Sequence, residues 1–413
     1  MGLKRRRFFY SQKYMEEIMN LRKKFAVGML LAGMFLSACS NSDKPSENND
    51  SKAGKEKSQA GDTIKLGNSA PLTGPVSVYG ITTNNGIKLA IEEINKDGGI
   101  LDKQIEWFEM DDKGEITDAV TNYNKLMQNE VSAIFGGVPS KPALAIAESA
   151  ANDDVVYITP TGTLANITEG KENAFRTCFI DPFQGEVLAR FSKDKLSAKK
   201  VAVLRNQSSD FSMGVANIFV EKAKELGMEV VADESYGDND TDFKAQLTNI
   251  KSQNPDVLFI PDYYEKVALM VPQVRQADID ATLVGADGWD TVLSVMDPSN
   301  FEAIEGSYFA NQFTLEDPSE RVQKFIKEYK EKYGEDPSTF AAEGYDTVYL
   351  YKQAVEEAGS TDTKAVCQAL KNIKFDGLTG SFTYDENNNP VKSAKMIKIE
   401  NGKYKFDSEV DPN

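Results

Sequence analysis

Ile64-Lys65-Leu66-Gly67-Asn68-Ser69-Ala70-Pro71-Leu72-Thr73-Gly74-Pro75 opens the part of the chain that folds, and its order of residue types sets the architecture. Ile64 to Gly67 reads as a strand, and small residues, hydroxyls and prolines follow it. The next segment, Thr82 to Lys96, puts Ile87, Ala90, Ile91 and Ile94 on one helical face, and Asp97-Gly98-Gly99 ends it. The alternation recurs. Ile105 to Met110 reads as a strand, Glu115 to Gln128 as a helix, and Ala133-Ile134-Phe135 as a strand ending in Gly136-Gly137. Ser140 to Asn152 reads as a helix and Val155-Val156-Tyr157-Ile158 as a strand. After Asp181 come strands at Val201-Ala202-Val203-Leu204, Glu229-Val230-Val231, Val257-Leu258-Phe259-Ile260, Leu283-Val284-Gly285 and Tyr308-Phe309. This rhythm predicts an α/β fold of parallel sheets with helices on both faces. The units are too many for one small sheet, so two lobes in tandem are expected. In open α/β sheets ligands sit beyond the carboxyl ends of the strands, which would here line a cleft.

Upstream, Arg22-Lys23-Lys24 precedes an uncharged run from Phe25 to Leu36, closed by Leu36-Ser37-Ala38-Cys39. A basic start, an apolar stretch too short to span a bilayer and small residues before the cut predict a signal peptide over 1–38. A start at Met19 would serve equally well. The spacing to Cys39 reads as a lipobox, which makes Cys39 the site of lipidation and of attachment to the membrane. Residues 39–62 are almost wholly polar beyond that cysteine, cannot bury enough apolar surface to fold, and read as a flexible tether. The expected location is outside the cytoplasm, lipid-anchored to a bacterial cell membrane.

Net charge is −17 at pH 7. Residues 1–38 hold eight Lys/Arg and two Asp/Glu, which leaves 39 basic and 62 acidic residues and a net −23 beyond them. That balance argues against nucleic acid and against peripheral binding to anionic lipid, both of which need basic surfaces. The sequence has no histidine. Ser–His and Cys–His nucleophile pairs and His-ligated metal sites are thereby removed. No P-loop, dinucleotide glycine fingerprint or Gly-x-Ser-x-Gly elbow occurs. Asp238-Asn239-Asp240-Thr241-Asp242 begins like a calcium loop, but Phe243 and Asn249 stand where an EF-hand needs Gly and Glu. Asp240 or Thr241 reads instead as the cap of the helix that follows. No enzyme activity, cofactor or metal is expected. Cys178 and Cys367 form no disulfide framework and read as partly buried free thiols, a bridge between them staying open.

The strand ends carry the chemistry. Asn68 to Pro75 and Val78-Tyr79-Gly80 follow the first strand, Val138-Pro139-Ser140-Lys141 the third, and Thr159-Pro160-Thr161-Gly162-Thr163 the fourth. Hydroxyls and backbone amides at helix N-termini suit a carboxylate, although plain N-capping explains any one of them. In the second half Asp210-Phe211, Asp262-Tyr263-Tyr264 and Ala286-Asp287-Gly288-Trp289 bring acids and rings. An acid and aromatics facing a carboxylate site is what a free amino acid needs; for Tyr264 and Trp289, lobe core or surface explains the ring as well.

With these residues in view the chain resembles the branched-chain amino-acid-binding proteins of ABC transporters, of the type I periplasmic-binding fold. The resemblance runs from about Thr63 to about Phe406. It rests on Pro71-Leu72-Thr73-Gly74 with Tyr79-Gly80, Ile94-Asn95-Lys96-Asp97-Gly98-Gly99-Ile100, Ile158-Thr159-Pro160, Phe175-Arg176-Thr177, Asp242-Phe243-Lys244-Ala245-Gln246-Leu247 and Gly344-Tyr345-Asp346, in that order. It implies two Rossmann-like lobes joined by a three-crossover hinge, lobe 1 at 63–181 and 312–379 and lobe 2 at 182–311 and 380–408. It implies that Ser140 and Thr163 bind an α-carboxylate. The Thr161 carbonyl, the Thr163 hydroxyl and Asp287 take the ammonium, and Tyr79, Val138, Tyr263 and Phe340 wall the side chain. Phe211 stands where family members often have tyrosine, Pro139 offers no N–H, and Thr161 and Gly162 replace small alanines. The implied function is a monomeric receptor that delivers an aliphatic amino acid to an ABC permease and its ATPase. The same fold also serves sensors of amino acids or amides coupled to signalling.

Overall fold

The computed structural model describes residues 63–412; the expected signal peptide, lipidated Cys39 and tether lie outside them. The first run comprises β1 (Ile64–Ala70), α1 (Ser77–Lys96), β2 (Ile105–Asp111), α2 (Ile116–Gln128), β3 (Ala133–Gly136), α3 (Ser140–Asp153), β4 (Val156–Thr159) and β5 (Ala174–Arg176). The second comprises α4 (Asp181–Asp194), β6 (Lys200–Asn206), α5 (Asp210–Glu225), β7 (Glu229–Tyr236), α6 (Lys244–Gln253), β8 (Val257–Ile260), α7 (Tyr264–Gln276), β9 (Thr282–Gly285), the short α8 (Val292–Val295) and α9 (Phe301–Ile304), and β10 (Tyr308–Asn311). Then follow α10 (Glu320–Tyr333), α11 (Thr339–Ala358), α12 (Thr363–Asn372), β11 (Phe375–Gly377), β12 (Gly380–Tyr384), β13 (Pro390–Val391), β14 (Ala394–Glu400) and β15 (Lys403–Val410).

Strands β2-β1-β3-β4-β5 form one sheet, parallel throughout. Strands β15-β14-β10-β9-β8-β6-β7 form the second, parallel except where β14 and β15 add an antiparallel edge, and β11-β12-β13 form a small antiparallel third. The fold is α/β with two lobes, as the alternation predicts. Each large sheet is buried on both faces. Ile87, Ile91, Phe135, Val348 and Tyr351 pack on one side of the first, and Tyr123, Ile134, Ile146 and Tyr157 on the other. Leu258, Val271 and Trp289 cover one side of the second, and Val203, Phe219 and Phe259 the other.

Two expectations are corrected. Helix α1 begins at Ser77, not Thr82, so Tyr79 is helical. The cap of α6 is neither Asp240 nor Thr241: Phe243 holds that position, Asp240 accepts from Gly237 N, and Asp242 accepts from Lys244 N. Phe382 belongs to the core of the first lobe, and the Tyr384 hydroxyl donates to the Arg176 carbonyl. Both Cys178 and Cys367 are free and buried.

The crossovers meet at one buried network. Lys392 Nζ donates to Thr177 O at 3.0 Å and to Thr379 Oγ1 at 2.7 Å. Phe179 N donates to Gln312 Oε1, and the Gln312 amide donates in turn to Glu343 of α11. Asp346, also on α11, accepts from Leu378 N, Thr379 N and Thr379 Oγ1. Burial lowers the Lys392 ammonium to about 8, with Glu343 and Asp346 opposing that fall.

Helix α11 packs on α1 at backbone distance. A Cβ on Gly86 would lie 1.9 Å from Ala341 O, and one on Gly344 would lie 2.3 Å from Thr83 O. Neither backbone can yield without parting the helices. Gly86→Ala is therefore expected to destabilise the protein by about 1–3 kcal/mol. The check is its urea-unfolding midpoint, which an unstrained interface would leave at the wild-type value.

Candidate ligand site between the lobes

All nine residues that the sequence singles out for a ligand line one pocket, together with Pro139 and Gly288. The strand-end rule explains most of them. Tyr79 stands in the first turn of α1 after β1, Val138 and Ser140 where β3 enters α3, and Thr161 and Thr163 after β4. Phe211 follows β6, Tyr263 is the N-cap of α7 after β8, and Asp287 begins a 3₁₀ turn after β9. Phe340 comes from the start of α11.

One end offers hydroxyls and amides. Ser140 is the first residue of α3, a helix N-terminus whose amides and partial positive charge suit an anion. Its Oγ accepts from Thr163 N at 3.3 Å and lies 3.4 Å from Thr163 Oγ1. Thr161 and Thr163 do not open an α-helix as the sequence suggested; only a 3₁₀ turn, Ala165–Ile167, follows. Arg176 fixes their loop instead. It is fully buried and donates to Gly162 O and Leu164 O, each at 2.7 Å. Thr161 Oγ1 is buried without a hydrogen-bond partner.

The other end is acidic. Burial pushes the Asp287 carboxyl up to about 7, Gln184 and the Gly288 amide opposing and Asp290 adding. Asp181, which the sequence left as a lobe boundary, stands nearby at the start of α4. Burial holds its carboxyl up at about 8, and Asp287 adds to that. Thr163 and Arg176 oppose it, but neither Asp181 oxygen has a hydrogen bond of ordinary geometry. An acid at a helix start reads as a simple dipole partner, so nothing in the sequence marked it.

Rings form the wall between these ends. Phe211 stacks on Tyr263 with centroids 5.0 Å apart, and Tyr79 lies 4.4 Å from Phe340. The Tyr79 hydroxyl is spent elsewhere, donating to Gly288 O and accepting from Tyr264 N. Trp289 and Tyr264 are buried in the second lobe's core, although the Tyr264 hydroxyl reaches across to the first. The cavity is thus built for a small solute with an acceptor at one end, a cation at the other and an apolar body between.

Residues 63–403 match the profile of the family described as periplasmic binding protein. The chain belongs to that family. Periplasmic binding proteins are solute receptors that work outside the cytoplasm. Among relatives, this chain is 31% identical over 345 residues to the Leu/Ile/Val-binding protein BraC3 of Rhizobium johnstonii, covering 82% of this chain and 92% of that one. Two solved structures are each 34% identical. The leucine-binding protein LivK of Thermotoga maritima has a TM-score of 0.79, covering 85% of this chain and 99% of its own. The branched-chain amino acid transporter substrate-binding protein LivJ of Streptococcus pneumoniae, in complex with isoleucine, has a TM-score of 0.77, covering 85% and 100%. Among the described residues of this family member, no helix is long and apolar enough to cross a membrane.

The raised Asp181 carboxyl sets a pH dependence. Between about pH 4 and pH 8 the native protein keeps a proton on Asp181 that the unfolded chain has lost, so rising pH costs stability over that window. Asp181→Asn, which cannot ionise, is expected to be more stable than wild type at pH 8 by about 1 kcal/mol or more, and to differ less at pH 5. Urea unfolding at the two pH values reads this directly; equal midpoint shifts at both would exclude an ionising Asp181.

Proposed function

We propose that this protein is the extracytoplasmic receptor of an ABC transporter for an aliphatic, branched-chain amino acid. The observation that carries this reading is the cavity itself: hydroxyls and a helix N-terminus at one end, a buried acid at the other, rings between. In this reading Ser140 Oγ and Thr163 N bind the α-carboxylate. Asp287, the Thr161 carbonyl and the Thr163 hydroxyl receive the ammonium. Tyr79, Val138, Phe211, Tyr263 and Phe340 enclose the side chain. Phe211 supplies packing only, having no hydroxyl to offer. The relatives named as Leu/Ile/Val- and leucine-binding proteins, and the isoleucine held by the pneumococcal one, support that class of ligand.

Lobe 1 is assigned to 63–181 and 312–391, and lobe 2 to 182–311 and 392–410, the last boundary following the core and not the earlier sequence reading. Lobe closure about the crossovers excludes water from the zwitterion, whose two charges are tolerable in that space only when both are paired. The receptor acts as a monomer tethered by lipid on Cys39. It changes no bond in its ligand and hands it to a permease driven by a cytoplasmic ATPase.

Titration calorimetry with leucine, isoleucine, valine, alanine and phenylalanine tests the reading. One-to-one saturation by an aliphatic member is expected, and heat from none of the five would end the assignment. Asp287→Ala is expected to lose about 2 kcal/mol or more of affinity, because it strands a buried ammonium. Ligand affinity is also expected to fall as pH drops below about 7, since the ammonium requires the ionised form of Asp287. Repeating the titration at pH 8 and pH 6 should show a several-fold loss at the lower value, and proton release on binding near pH 7.

A further inference from the structure

Two helix N-termini at the cleft lack side-chain caps of their own. Helix α1 has Val76 at its N-cap and α7 has Tyr263, neither with a side-chain cap bond. Each is served from the opposite lobe. Tyr264 of lobe 2 accepts at its hydroxyl from Val78 N, in the first turn of α1, at 3.2 Å, and donates from it to Pro75 O at 2.7 Å. Tyr79 of lobe 1 accepts at its hydroxyl from Tyr264 N, the first amide of α7, at 3.0 Å, and donates to Gly288 O. The two rings meet edge to face, centroids 4.5 Å apart. Both residues are almost wholly buried, Tyr79 at 1% and Tyr264 at 2% exposure. A third helix start, capped by its own Ser338, is also served from the opposite lobe, since Thr339 N, the first amide of α11, donates to Asp290 of lobe 2 at 2.7 Å.

We propose that Tyr264 and Tyr79 cap each other's helices across the cleft, so that lobe closure is itself a helix-capping reaction, with Tyr264 the positioning residue that holds the closed form. Separation of the lobes takes both hydroxyls away and leaves the first amides of α1 and α7 to water. A side-chain cap stabilises its helix by an amount that corresponds to a few-fold to some thirtyfold in an equilibrium. The closed form therefore has an affinity for itself that owes nothing to the ligand. Ligand binds with an apparent affinity scaled by how much closed form exists, so the caps tune the receptor's sensitivity and its rate of release. Tyr264 lies outside the group of residues that line the cavity, and its hydroxyl touches neither the hydroxyl end nor the acidic end. This inference rests on the receptor reading only for the kinetic part of its test.

Tyr264→Phe removes the hydroxyl and keeps the ring. Spin labels on exposed positions of each lobe, placed through Thr121→Cys and Glu221→Cys, report the interlobe distance in the purified protein with no ligand added. The wild type is expected to show a short-distance population, and Tyr264→Phe to lower it about tenfold relative to the long one. In stopped-flow with isoleucine, the variant is expected to release ligand about tenfold faster while its association rate stays within twofold. Tyr79→Phe, which uncaps α7 instead of α1, should give the same distance change and serves if the first variant folds poorly. A distance distribution unaltered by either substitution, or one that is all long in wild type and variants alike, overturns the proposal. A variant that merely melts earlier, with wild-type distances and release rate, overturns it too. Should isoleucine fail to bind the wild type, the receptor reading falls while the ligand-free distances still decide the caps.

Discussion

Stretches of chain that connect the two lobes meet at one buried ammonium. Lys392 reaches Thr177 on the first crossover and Thr379, and Gln312 brings in the second through Glu343. A charge taken out of water is tolerated only when its partners are complete. Here that requirement gathers three distant stretches of chain at one point beside α11. The lobes are rigid because each sheet is sealed on both faces. The passage between them is narrow because this polar knot allows few other arrangements.

The site applies the same physics with the sign reversed. Around Lys392 the polar groups satisfy one another. Around the cavity they do not: the Thr161 hydroxyl and both oxygens of Asp181 stay buried without partners. Such groups are costly, and Arg176 maintains the arrangement by holding the Thr161–Thr163 loop through its carbonyls. Burial raises the carboxyls of both Asp287 and Asp181, and Asp287 raises that of Asp181 further. The cavity is thus primed to gain most from a solute that brings a positive charge to one end and acceptors to the other.

Much of this was legible in the residue pattern. The alternation of β-branched runs with amphipathic segments specified every strand from β1 to β10 except β5, a three-residue edge strand that offers too few positions for a pattern. The strands from β11 to β15 were not read at all. They are short or lie at an edge, and Lys395, Lys398, Lys403 and Lys405 on β14 and β15 hide their apolar face. The strand-end rule, with the resemblance, found the nine residues that share a cavity. It passed over Asp181, whose place at a helix start has an ordinary explanation, and it took Tyr264 for core. Tyr264 is core, but its hydroxyl belongs to the other lobe, and only the spatial placement of α1 against α7 shows that. The early part of α1 was misread because Val76-Ser77-Val78-Tyr79-Gly80 has neither a clear cap nor a helical stripe.

The discontinuity of the first lobe has a consequence for how the chain comes into being. Its sheet ends with β5 at Arg176, yet the helix that seals one face, α11, begins at Thr339, and Phe375 and Phe382 of the same core come later still. The second sheet, by contrast, has its parallel strands in one unbroken stretch, Lys200 to Asn311. A chain emerging from its N-terminus therefore lays down a sheet that has only α1 on one side until α11 and the segments after it arrive. Apolar surface is on offer to a chaperone or to a transport machinery throughout that interval. The first lobe's core is therefore completed late in synthesis, which favours keeping the chain unfolded until then, a useful property for any polypeptide that must be threaded from one compartment to another.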